Sequence, residues 1–152
     1  MTTDNPDASI RKHALYLLRG GGAHLSFDDF VDSFPADLCN RQVEGLPYTA
    51  WQVLEHMRLA QWDILEFSRD ADHVSPAFPK GYWPKPNELG TPTLWQQTID
   101  EFRKDLKQME ALVEDPATDL HGLTSTELAR GHNRLNPRHG GNQQTIPRGG
   151  CA

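Results

Sequence analysis

The chain has 152 residues, a formal net charge of -6 and a hydrophobic content of 37%. This length is enough for one domain with its own core. The acidic balance argues against nucleic acid or an anionic membrane surface as the main partner, because either needs a concentrated basic surface. No apolar run approaches the ~20 residues of a membrane span, and the first residues lack a signal-peptide pattern, so we expect a cytoplasmic protein.

Two helices are predicted before residue 36. Apolar residues at helical spacing indicate a first helix from about Pro6 to Leu18. The glycines of RGGGAH end it, because a run of glycines holds a helix poorly and readily supplies the left-handed closing turn. Ser26 is the predicted cap of a short second helix, SFDDFVDSFP, which Pro35 stops.

The segment TAWQVLEHMRLAQWDILEFSRD, residues 49–70, carries the clearest helix signal. Thr49 and Gln52 form a predicted capping box at its start. His56 lies at the edge of the predicted buried face, with Asp63 two turns further on. Glu55 and Arg58 are expected to be solvent-facing charges. The predicted buried face comprises Ala50, Val53, Leu54, Met57, Gln61, Ile64 and Leu65.

The stretch from Asp72 to Pro92 holds five of the eleven prolines and is predicted to be a long connection. Its aromatic residues Tyr82 and Trp83 either line a pocket or hold the loop in place, and the second role is the commoner one. A further helix then starts at a predicted capping box of Thr93 and Gln96 and ends before Pro116. Its apolar seam steps by four and three residues through Trp95, Ile99, Phe102, Leu106, Met109 and Val113.

Composition changes after residue 120. Residues 1–120 carry a net charge of -9, whereas residues 121–152 carry +3 and half of the chain's glycines. We therefore divide the chain into a helical bundle domain, 1–120, and a Gly/Arg-rich tail, 121–152, that is partly helical or irregular. No segment shows a strand period. The predicted class is all-α, an up-down-up-down four-helix bundle whose fourth helix is short, atypical or missing.

Four segments, in this order and spacing, resemble the DinB-like superfamily of bacterial four-helix bundles: GGGAHLSFDDFVDSFP, PYTAWQVLEHMRLAQWDILEFSRD, FPKGYWP and LWQQTIDEFRKDLKQMEALVEDPATDL. The resemblance covers about Ile10 to Leu120. It implies a metal-dependent hydrolase or a thiol-dependent transferase. It also implies a divalent metal, held by one histidine of the second long helix and by two histidines spaced HxxxH on the last helix. His56 matches the first of these ligands.

The tail departs from that ligand pattern. It offers His121, His132 and His139, at separations of 11 and 7 residues. Side chains seven apart on a helix lie ~10 Å apart, too far for both to bind one zinc at ~2.1 Å, so His132 and His139 can join His56 only through a loop. We expect weak or absent binding of Zn or Ni, and no catalytic residue is assigned. A shifted reading frame over 121–152 would explain the mismatch, which sequencing of the encoding DNA tests.

Plainer interpretations stand beside these. Taken alone, His56 is more often a core or boundary histidine than a ligand, and His24 has the position of a turn residue. Asp28, Asp29 and Asp32 are typical helix-start acids rather than a calcium or magnesium site. Cys39 and Cys151 are expected to be reduced. The alternative function is a non-enzymatic scaffold or small-ligand-binding bundle that forms a homodimer, because the Trp95 to Leu106 seam lacks an evident partner; no substrate is identified.

Overall fold

The computed structural model describes residues 6–42 and 44–120. No strand occurs among these residues, which contain one isolated bridge between Gln42 and Thr49. The all-α class is therefore confirmed for this part of the chain, and no helix in it is long and apolar enough to cross a membrane. The predicted tail, including Cys151 and the histidines at 121, 132 and 139, lies outside the described residues. Helix α1 spans Pro6–Leu18, α2 Phe27–Ser33, α3 Ala50–Arg69 and α4 Pro92–Glu114, with 3-10 turns at Ala36–Leu38 and Lys80–Tyr82.

Side-chain caps fix the starts of α2 and α3 where the sequence predicts them. Ser26 Oγ accepts a hydrogen bond from the Asp29 amide at 3.1 Å. The capping box of α3 is complete, since the Gln52 amide donates to Thr49 Oγ1 at 3.2 Å and the Thr49 amide donates to Gln52 Oε1 at 3.0 Å. Each bond satisfies an amide that has no partner within the first helical turn.

The cap of helix α4 lies two residues before the predicted one. Thr91 Oγ1 accepts from the Leu94 amide at 3.1 Å, and Pro92 is the first helical residue. The predicted capping box at Thr93 and Gln96 is therefore wrong. Proline favours the first helical position because its φ suits a helix and the N–H that it lacks would have no partner there.

The apolar core lies where α3 and α4 meet the segment around α2. Phe27 stacks on Phe102 with ring centroids 3.9 Å apart, and Phe34 stacks on Trp95 at 4.8 Å. The first half of the α4 seam thus packs against this chain's own residues, contrary to the prediction that it lacks a partner. The buried cluster comprises Val31, Cys39, Trp51, Leu54, Trp95 and Ile99.

Helices α3 and α4 run in the same direction. The loop between them, residues 70–91, runs back along α3, which lets consecutive long helices lie parallel. The predicted up-down order does not describe this pair, because it presumes a connection that merely turns the chain around. Three hydrogen bonds advance together along both helices: Trp51 to Thr98 at 3.2 Å, Gln61 to the Phe102 carbonyl at 2.7 Å and Arg69 to Gln108 at 2.6 Å.

One face of α3 carries a row of apolar residues, three of which are exposed. We call it the α3 stripe, and its members step by four and three residues: Val53, Met57, Ala60, Ile64 and Phe67. Met57, Ile64 and Phe67 are 42%, 48% and 42% exposed. The predicted burial of Met57 and Ile64 is therefore wrong, because the covered faces of α3 point elsewhere. The residues that α3 buries are Trp51, Gln52, Leu54, Asp63 and Leu65.

Candidate functional site

Polar side chains of α3 hold the returning loop. Gln52 Nε2 donates to the carbonyls of Pro86 and Glu88 at 3.3 and 3.2 Å. Three turns of helix later, Asp63 contacts His73 near the start of the loop and Tyr82 in its middle. The loop therefore lies antiparallel along α3, and its path is set by a small number of directional bonds.

One ring nitrogen of His56 is hydrogen-bonded to this loop. Its Nδ1 lies 2.7 Å from the Tyr82 carbonyl oxygen. Because a carbonyl oxygen can only accept, Nδ1 carries the hydrogen, and Nε2 of the neutral ring keeps its lone pair. Metal-binding histidines commonly donate their second ring N–H to a backbone carbonyl in this way. The His56 tautomer is therefore the one that a metal ligand bound through Nε2 needs.

Stacking also fixes the plane of the His56 ring. The ring lies against Trp83, with centroids 3.9 Å apart and planes 2° from parallel. Tyr48 stacks on Trp83 at 3.9 Å as well, so the indole lies between the imidazole and the phenol. The sequence leaves two roles open for Tyr82 and Trp83, lining a pocket or holding the loop in place. These contacts hold the loop in place.

Asp63 is a buried acid on the face of α3 that the loop covers. It is 5% exposed, and both carboxylate oxygens have partners. Its Oδ1 lies 2.8 Å from His73 Nε2, and its Oδ2 accepts from the Tyr82 hydroxyl at 2.6 Å. A buried carboxylate is costly unless it is hydrogen-bonded, and two residues of the loop meet that requirement here.

The described residues do not supply a complete set of metal ligands around His56. Among them, no group of three or more His, Cys, Asp and Glu side chains lies close enough to hold a metal ion. Asp63 already uses both oxygens, so it is not an open second ligand. His132 and His139, the other predicted ligands, lie outside the described residues. The fit to a metal is therefore limited to the orientation of His56.

Glu55 and Arg58 face α4 rather than solvent, contrary to the prediction for both. Arg58 bonds Glu55 at 2.6 and 2.8 Å and contacts Glu101 of α4 at 3.3 Å, with only 16% of its side chain exposed. The hydrogen bond to Glu55 raises the pKa of Arg58 above its ordinary value, against the opposing effect of burial. Nearby on α4, burial raises the pKa of Asp105, which Arg58 only partly offsets. A half-buried charge cluster thus joins the two helices.

The remaining candidate residues from the sequence lie in a helix contact, in a turn or in the core. Asp28 and Asp32 pair with Arg103 of α4 at 2.8 and 2.9 Å, which ties α2 to that helix. His24 is exposed in the turn after α1. Cys39 is a free thiol, 2% exposed within the core.

Sequence reasoning missed the roles of Asp63, His73 and the Tyr82 hydroxyl. One signal was available, because Asp63 follows His56 by seven residues and so shares its helical face. The site is an oriented imidazole linked to a buried carboxylate through a loop tyrosine. Comparison of the chain with protein-family models, with curated proteins and with solved structures found no match.

Proposed function

We propose that this chain is a DinB-like metal-binding protein in which His56 supplies one ligand to a divalent ion such as Zn or Ni. The supporting observation is the bond from His56 Nδ1 to the Tyr82 carbonyl, which leaves Nε2 free to coordinate. The resemblance to the DinB-like superfamily adds the reaction class, a metal-dependent hydrolase or a thiol-dependent transferase. In such a site the metal would lower the pKa of a bound water or thiol.

The proposed binding is weak, since the described residues contain no group of three or more His, Cys, Asp and Glu side chains that could hold a metal ion. Structural zinc sites use four protein ligands, and catalytic sites use three with one position open. His132 and His139 remain the predicted further donors, and their spacing does not favour chelation from one helix. We therefore infer a degraded site with a dissociation constant above about 1 μM.

Isothermal titration with zinc and with nickel tests this proposal. The wild type is expected to bind one ion weakly, and His56→Ala to lose that binding. His24→Ala is the matched control, because it removes an exposed histidine of the same domain and should bind as the wild type does. No binding by the wild type, or equal binding by His56→Ala, would overturn the proposal.

The second candidate function is a non-enzymatic scaffold that pairs with another copy of the chain. The supporting observation is the exposed α3 stripe, whose four-and-three spacing is that of a helix pairing seam. Two-fold symmetry lets the same stripe on each copy bury the other. Light scattering should then give a dimer for the wild type and for Leu89→Glu, an exposed loop control, but a monomer for Ile64→Glu. A wild-type monomer at all concentrations excludes this function.

A further inference from the structure

Tyr82 contacts α3 at both of its ends. Its backbone carbonyl accepts from His56 Nδ1 at 2.7 Å, and its hydroxyl donates to Asp63 Oδ2 at 2.6 Å. Seven residues separate these two partners on α3, which places them about 10 Å apart along the helix axis. Tyr82 therefore lies along two turns of α3, with its backbone near His56 and its hydroxyl near Asp63.

Asp63 is a strong anchor for this side chain. Hydrogen bonds to a carboxylate are shorter and stronger than those between neutral groups, and a buried carboxylate has no water to replace a lost donor. Its second oxygen contacts His73, which belongs to the same loop. Because both anchors of Tyr82 belong to one rigid helix, their separation is fixed.

Stacking alone does not decide which nitrogen of His56 faces outward. The Trp83 contact sets the plane of the imidazole, 2° from parallel, but rotating the ring by half a turn within the χ2 torsion preserves that stack. The contact that distinguishes Nδ1 from Nε2 is the hydrogen bond to the Tyr82 carbonyl. The position of Tyr82 therefore determines the tautomer.

We propose that Asp63 is a positioning residue for His56, acting through Tyr82. By holding the tyrosine hydroxyl, Asp63 keeps the Tyr82 carbonyl against Nδ1 and so keeps the lone pair of the imidazole on Nε2. The consequence for metal affinity rests on the proposed function, whereas the consequence for the tautomer does not. Asp63 itself binds no ligand in this arrangement.

Nitrogen-15 NMR of histidine side chains in the metal-free, full-length protein tests the tautomer. The spectra are recorded at increasing pH until the histidine signals stop changing, so that neutral rings are compared. The wild type is expected to show His56 protonated on Nδ1. Asp63→Ala and Tyr82→Phe are expected to show a mixture of both tautomers. Asp63→Asn should restore the wild-type signal, because asparagine keeps an acceptor oxygen for the Tyr82 hydroxyl.

Nickel titration of the same variants gives the second readout. Loss of a residue that orients a metal-binding histidine typically weakens metal affinity 10- to 100-fold, so Asp63→Ala and Tyr82→Phe should bind about tenfold more weakly than the wild type. Tyr16→Phe, at an exposed tyrosine of α1, is the matched control and should change neither signal nor affinity.

The outcomes separate this inference from the proposed function. A wild-type tautomer in folded Tyr82→Phe would overturn the positioning role, even if nickel binds. A changed tautomer together with no nickel binding by the wild type would support the positioning role and overturn the proposed function. If Asp63→Ala fails to fold by circular dichroism, Tyr82→Phe decides the question, because it removes a single hydroxyl.

Discussion

The two covered faces of α3 differ in how much apolar burial they contain, although hydrogen bonds and an ion pair also join α3 to α4. Toward α4, Leu54 and Leu65 are each 1% exposed, and Trp51 packs in the same core. Toward the loop, His56 and Asp63 make a few directional hydrogen bonds. Apolar burial is non-directional and stabilises the fold, whereas directional bonds fix the position of particular atoms. The difference indicates that the α4 side stabilises the domain and the loop side orients the candidate site.

The largest loss of stability is expected from Leu54→Ala, on the α4 side of α3. Truncation of a fully buried leucine loses its transfer free energy and leaves a cavity, so the free energy of unfolding should fall by about 3 to 4 kcal/mol. Ile64→Ala, at the half-exposed stripe of the same helix, should cost less than about 1 kcal/mol in the monomer. Urea unfolding of both variants measures the difference. Equal losses would mean that the α4 side is no more important for stability than the stripe.

An intermediate effect is expected where the loop meets the core, at Gly90. This glycine is buried, and a Cβ added there would lie 2.6 Å from Trp51 Cγ, close to the backbone of α3 where the indole cannot swing aside. Gly90 also exchanges two hydrogen bonds with Asn40, at 2.6 and 2.7 Å, which limit its own movement. Gly90→Ala should therefore reduce the free energy of unfolding by roughly 1 to 3 kcal/mol, as overpacking does.

Tryptophan fluorescence during urea unfolding checks the Gly90→Ala prediction, because Trp51 reports on the affected contact. A variant with wild-type stability would show that the end of the loop can shift away from α3. The loop would then be held mainly by its earlier residues, His73 and Tyr82, through their bonds to Asp63 and His56.

Local sequence signals predicted the helices well because caps and breakers act over a few residues. Ser26 and Thr49 start α2 and α3 through bonds within one turn. The start of α4 is harder to predict because two threonines, Thr91 and Thr93, compete for the cap, and the preference of Pro92 for the first helical position favours Thr91. That signal was present in the sequence.

The direction of α4 and the buried faces of α3 could not be predicted from such local signals. Both depend on the path of the loop, which is fixed by tertiary contacts such as those of Gln52 and Asp63. A glutamine and an aspartate are ordinarily assigned to a solvent-facing surface. The predicted buried face therefore combines Leu54 and Leu65, which are buried, with Met57 and Ile64 of the α3 stripe, which are exposed. For the candidate site, His56 followed from the resemblance, whereas its bond to Tyr82 required the folded loop.

The smallest change in stability is expected at Asp105, in the charge cluster on the α4 side. Burial raises the pKa of this carboxyl above its ordinary value of 3.8, so between that value and the raised one the folded state binds more protons than the unfolded state. Stability due to this group therefore falls as the pH rises through that window, and the ionised carboxylate is a cost above it. Asp105→Asn should be more stable than the wild type at pH 7, by less than about 1 kcal/mol.

Urea unfolding at pH 7 and near pH 3.5 measures the Asp105 effect. The gain of Asp105→Asn over the wild type should shrink at the lower pH, where the wild-type carboxyl is protonated in the folded state and its burial is no longer penalised. Asp100→Asn, at an exposed position of the same helix, is the matched control and should show a smaller change with pH. A gain that grows at low pH, or a loss at pH 7, would mean that the attraction of Arg58 outweighs burial, so that the charge cluster stabilises the α4 side as its apolar core does.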